Sequence, residues 1–79
     1  MSEPLPPEVL DLFGVPCPAN AARTLLKLEL LDPDDLLDVL LDDGEPATNL
    51  PPALVEDGHE IVAKEREGAG WRFRIRRGP

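Results

Sequence analysis

The 79-residue chain has one cysteine, one histidine, no tyrosine and only three aromatic residues. A lone cysteine cannot close an internal disulfide, and with His59 as the single histidine it cannot complete a four-ligand structural zinc site. No uninterrupted aliphatic stretch exceeds three residues, far short of the roughly 20 that a membrane-spanning helix needs. Met1-Ser2-Glu3 is not the basic start of a signal peptide, so the chain reads as soluble and cytoplasmic, where a single thiol stays reduced. A chain this short makes one domain that buries roughly 60% of its unfolded surface, which excludes large enzymes with multi-lobed clefts. Bases are scarce over most of its length. Residues 1–60 carry 14 acids against Arg23 and Lys27, net −12, while residues 61–79 carry six bases and two acids, net +4. The two regions attract each other, and the total of −8 repels phosphate backbones, so direct nucleic-acid binding is not expected.

The prolines and apolar periods that are present organise the chain. Residues 1–7 hold three prolines and no apolar period, which predicts a flexible N-terminal arm ahead of a domain over residues 8–79. Val9 to Phe13 alternate as a short strand that stops at Gly14. Pro18 suits a first helical position, and Ala21, Leu25 and Leu28 form one apolar face of a helix, with Thr24 and Leu31 at its edge. Pro33 and the acids around it end that helix. Leu36 to Leu41 is short and aliphatic, which favours a central strand over a helix. Pro51-Pro52 cannot lie deep inside a helix, so a second, short helix is expected to begin there, bury Leu50, Leu54 and Val55, and stop before Gly58. His59–Glu65 and Trp71–Arg77 flank a Gly68-Ala69-Gly70 turn as a hairpin, with Trp71, Phe73 and Ile75 inward as core and Arg72, Arg74 and Arg76 outward. The order β-α-β-α-β-β predicts an α+β fold, a two-layer α/β sandwich with both helices on one face of a four-stranded sheet and its first two strands parallel.

Cys17 is the residue with chemistry. It stands in Val15-Pro16-Cys17-Pro18 at the junction of the first strand and first helix. A residue before proline is driven out of the α region, which makes Cys17 the expected N-cap. A thiol there would meet the positive end of the helix, which favours a thiolate, while nearby carboxylates oppose it. The bland alternative is a small buried hydrophobe. Other signals have simpler readings. Asp32, Asp34, Asp35 and Asp38 lack a calcium-loop pattern and read as a solvated turn, so no metal is expected. His59 reads as a solvated turn residue. The arginine stripe reads as the solvent face of a one-sided sheet, balanced by Asp38 on the neighbouring strand, and not as a nucleic-acid site.

The residues Gly14-Val15-Pro16-Cys17-Pro18, the Pro33 turn, the strand ending in Asp42-Asp43, Pro46-Ala47-Thr48, and His59 to Glu65 before a hairpin ending in Arg74-Ile75-Arg76 resemble the TusA (SirA-like) sulfur-carrier family over residues 9–78. The resemblance implies sheet order 1-2-4-3 and a persulfide on Cys17, received from a cysteine desulfurase and handed to an acceptor protein, in some members toward tRNA thiolation. It implies no cofactor. Pro16, Pro18 and Asn20 form the motif and helix N-terminus, and Arg23, Asp42 and Asp43 are candidate partner contacts. One position departs from the family motif Cys-Pro-x-Pro, since Asn20 stands in place of its second proline. That exchange loosens the first helical turn without forbidding it, and it keeps open a second reading, a non-catalytic interaction or regulatory module on the same fold.

Overall fold

A computed structural model describes residues 7–79, so the N-terminal arm read over residues 1–7 lies outside the described residues except for Pro7. The elements follow in the order β1 (Glu8–Asp11), α1 (Ala19–Glu29), β2 (Leu36–Asp42), α2 (Glu45–Glu56), β3 (Glu60–Glu67) and β4 (Gly70–Arg76). The sheet order is β1-β2-β4-β3, with β1 parallel to β2 and the remaining pairs antiparallel. This is the expected mixed α+β sandwich.

Alternation along the strands sorts the two layers. Leu37, Val39 and Leu41 of β2 and Phe73 and Ile75 of β4 are fully buried beneath the helices, together with Leu12, Leu28, Leu50 and Leu54. Burial of each such side chain contributes about 1.5–3 kcal/mol, so the core rests on β2, β4 and one stripe from each helix. On α1 the fully buried stripe is Asn20, Thr24 and Leu28, and the expected Ala21, Leu25 and Leu31 pack against the core beside it, partly buried. Thr24 moves from the edge to the centre because its hydroxyl finds a partner in the helix, the Asn20 carbonyl at 2.8 Å.

Several expectations need correction. α2 does not begin at Pro51-Pro52 but at Glu45, and the two prolines lie inside it. Leu50 and Leu54, one turn apart and both buried, hold the helix against the sheet across the gap in its hydrogen bonds. Pro51 and Pro52 take the helical donors from the Ala47 and Thr48 carbonyls; Thr48 is exposed and Ala47 half-buried, and water can replace the donor at the exposed one. Val55 is 59% exposed, because it follows Leu54 by about 100° around the helix. The helix stops as expected before Gly58, whose φ of 93° lets its own N–H reach the Val55 carbonyl and that of His59 reach Leu54. The hairpin loop is Gly68-Ala69 alone. Gly70 belongs to β4 opposite Asp42, where a Cβ would overlap the Leu41 carbonyl oxygen and lie 2.7 Å from Phe13 Cε1.

His59 is not a solvated turn residue. Its side chain is 8% exposed; Nδ1 accepts from the Gly78 N–H at 2.9 Å and Nε2 lies 3.2 Å from Asp57. It clamps the chain after β4 to the α2–β3 turn. Arg77 adds a second tie, its Nε donating to the Leu28 carbonyl at 2.7 Å near the end of α1.

Candidate functional site

The segment between β1 and α1 is pinned at both ends. Its entry is fixed by Leu12, which is buried and extends the β1–β2 ladder through an N–H donated to Leu40 at 2.9 Å. Val15 then donates to Leu12 at 3.0 Å, closing a turn at Gly14, whose φ of 79° suits glycine. The Gly14 N–H points at Asp42 and donates to its Oδ2 at 2.7 Å. Asp42 therefore ties the Cys17 loop to the end of the central strand. Phe13, 40% exposed, lies over Gly70 on the same end of the sheet.

Cys17 follows this turn, half-buried and with a free thiol. It is not the N-cap. That position belongs to Pro18, with φ −91° and ψ 9°, because Asn20 already donates its N–H to the Pro16 carbonyl at 3.1 Å and the first helical bond runs from Ala22 to Pro18. The Cys17–Pro18 peptide bond is cis. The thiol thus sits one residue before the observed cap, and no side chain caps the helix.

What reaches the sulfur instead is Asn20. This side chain is 1% exposed; its Nδ2 donates to Cys17 Sγ at 3.3 Å while its Oδ1 accepts from the Ala21 N–H at 2.6 Å. An amide buried in this way has one group for each partner, and both are used. Sequence reasoning treated Asn20 as a loosened proline and missed its side chain. The available signal was a small amide three residues after the cysteine, in the first turn, where such residues fold back on local groups.

The other candidates divide. Pro16 supplies the carbonyl that turns the chain, Pro18 opens the helix, and Arg23 is exposed on α1. Asp43 accepts from Trp71 Nε1 at 2.8 Å and lies 3.6 Å from Arg66, which stacks 4.6 Å from the centre of the Trp71 ring. The Trp71 hydrogen bond, chiefly, holds the Asp43 carboxyl below the usual carboxylate range. Trp71 is accordingly a half-buried rim residue that packs on the core from one side, not a core residue throughout. The structure makes two hydrogen-bonded pairs on this loop, Gly14 with Asp42 and Cys17 with Asn20, and leaves Arg23 outside both.

A family model described as Sulfurtransferase TusA matches residues 8–77. This chain belongs to the TusA family. A relative from Archaeoglobus fulgidus, named "Putative sulfur carrier protein", is similar at 34% identity over 61 residues, which cover 77% of this chain and 69% of the relative. The matched segment contains the whole β1–α1 turn of this TusA-family chain.

The opposite, open face of its sheet has a different character. Asp38, 1% exposed, accepts from Arg72 Nε at 2.9 Å and from Arg74 Nε at 2.8 Å, and Arg76 pairs with Glu60. Asp38, Arg72 and Arg74 line a shallow hollow with Ala63, Glu65 and Glu67. Its carboxylates outnumber its guanidiniums, so it offers no positive field to a phosphate. No helix among the described residues is long and apolar enough to cross a membrane.

Proposed function

We propose that this protein is a sulfur carrier in which Cys17 accepts and donates a persulfide. The observation that carries the reading is the position of the chain's single thiol, half-buried on a turn that Leu12, Gly14 and Asp42 pin to the sheet, within the segment matched to the TusA family. A carrier needs only a positioned thiol and partners, because thiolate attack is the whole reaction. In loading, the Cys17 thiolate attacks the outer sulfur of a persulfide on a cysteine desulfurase; the new Sγ–S bond forms, the desulfurase S–S bond breaks, and its electron pair leaves on the desulfurase thiolate. In delivery, an acceptor thiolate attacks the outer sulfur on Cys17 and the pair of the Sγ–S bond returns to Sγ. No oxidant or cofactor enters, and the proton stays on the transferred sulfur. The relay suits a compartment that keeps thiols reduced, such as the cytoplasm, and tRNA thiolation is one end to which its sulfur can be put.

The test is mass measurement of the intact chain after incubation with a cysteine desulfurase and cysteine. One added sulfur atom is expected, removable by reductant and absent from Cys17→Ser. If desulfurases of the host leave the natural chain unchanged in mass, the carrier reading fails and the interaction module on the same fold replaces it.

A further inference from the structure

The Cys17 sulfur plays opposite parts in the two half-reactions, nucleophile in loading and leaving group in delivery. A hydrogen bond donated to it stabilises the negative charge it carries when free, and that charge is absent when it is bonded to a second sulfur. Such a bond dampens attack and favours departure. In this chain the donor is identifiable. Asn20 Nδ2 lies 3.3 Å from Sγ, and the amide cannot turn over, because its Oδ1 is committed to the Ala21 N–H at 2.6 Å and the side chain is 1% exposed. Thr24 bonds the Asn20 carbonyl from the next turn and fixes the backbone that carries the amide. The position is the one at which the motif of the resembled family has proline, which has no side-chain donor.

We infer that Asn20 is a positioning residue that biases this chain toward giving sulfur away: it orients Sγ and, through its N–H, stabilises the charge that returns to the sulfur on delivery. The inference rests on the carrier reading, and its test does not use a desulfurase. Inorganic polysulfide loads the thiol directly, the Cys17 thiolate displacing a shorter polysulfide from the sulfur it takes. Discharge of the loaded chain to dithiothreitol, whose thiolate attacks the outer sulfur, returns the Sγ–S electron pair to Cys17 and then closes to its ring disulfide with release of hydrosulfide, is followed by intact mass. Two variants separate the roles of the amide. Asn20→Asp keeps an oxygen for the Ala21 N–H and puts a carboxylate where the donor was, while Asn20→Leu removes both. Both should discharge more slowly than the natural chain by about fivefold, the ratio given by one hydrogen bond of ordinary net strength, with Asn20→Asp the slower. Either variant discharging at the natural rate overturns the inference, since the amide would then act only on the helix backbone or not at all.

A second measurement needs no altered site. The chain has two asparagines, Asn20 and Asn49, and no glutamine, so its side-chain amide spectrum contains two NH2 pairs, assigned by Asn49→Ala on the exposed side of α2. Loading with polysulfide should move the Asn20 pair and leave the Asn49 pair in place. An Asn20 pair that does not move also overturns the inference. A chain that refuses sulfur from every desulfurase yet shows this order of discharge loses the carrier reading and keeps the role of Asn20.

Discussion

Asp38 and Asn20 are buried to the same extent, each 1% exposed, and their partners differ in kind. Asp38 is a full charge held by two guanidiniums that are themselves 33% and 42% exposed. Asn20 is neutral, and spends one group on its own helix and the other on a soft sulfur. In the first arrangement the buried charge is matched by two opposite charges on neighbouring strand positions, and what it supports is the sheet. The second leaves its only reactive member, Cys17, half-buried at the end of the sheet. Burial of a polar side chain therefore does not separate scaffold from site in this protein; the hardness of what it binds does.

The largest effect should come from breaking the scaffold. Asp38→Leu leaves two arginines without their common carboxylate, and removal of one partner of a buried pair costs about 3 kcal/mol at the lower end of the usual range. The lower end applies because both guanidiniums keep access to water. Denaturant unfolding should show this loss while polysulfide loading of Cys17 in the folded variant stays at its natural rate. A variant that is equally stable, or that loads sulfur differently, would erase the division drawn between the two groups.

Acid should produce the same distinction more gently. The Arg74 hydrogen bond is the largest influence on the Asp38 carboxyl and, with Arg72, holds it below its ordinary value against the desolvation that would raise it. A group depressed in the folded state stabilises the fold fully above its unfolded value, about 3.9, and loses that contribution as pH falls through its folded value. The stability gap between the natural chain and Asp38→Asn should thus be constant near neutrality and narrow below about pH 4. A gap that stays constant in acid would mean that the Asp38 charge is not what the arginines stabilise.

How much of this was legible in the sequence depends on the distance over which each feature is decided. The strands were legible because the short aliphatic run of Leu36–Leu41 and the period-2 alternation of Trp71–Arg77 are local, and the Asp38–arginine contact followed from which side of adjacent strands those residues occupy. α2 was read too short because proline propensity is local whereas the contacts of Leu50 and Leu54 that override it are tertiary. Gly70 and His59 were misread for a related reason, since the Leu41 carbonyl that excludes a side chain and the Gly78 N–H that buries an imidazole are distant in sequence. Of the site, Cys17 and the strand-to-helix setting were legible. The cap was not, because a one-residue shift in a proline-flanked turn depends on which carbonyl accepts first, and here Pro16 does. Thr24 was placed only at the edge of the apolar face, and Asn20 was read for its effect on the backbone, because polar side chains on a helix are read as outward unless their partners are known.

The smallest expected effect tests whether the two polar groups on α1 act together. Thr24 is fully buried, and its hydroxyl donates to the Asn20 carbonyl at 2.8 Å. Valine has nearly the same shape and the same stiffness at χ1, so Thr24→Val removes that hydrogen bond and little else. The carbonyl remains inside a helix, where the backbone supplies another donor, so no buried acceptor is stranded and the cost should be about 1 kcal/mol or less. If Asn20 works through its amide, discharge of the loaded chain by dithiothreitol should be unchanged, because Nδ2 and Oδ1 keep both of their partners. If Thr24→Val instead slows discharge as much as Asn20→Asp does, the sulfur responds to the backbone of the first turn as a whole, and the contrast between a hard scaffold and a soft site would have to be redrawn with the first turn, not the amide, as its unit.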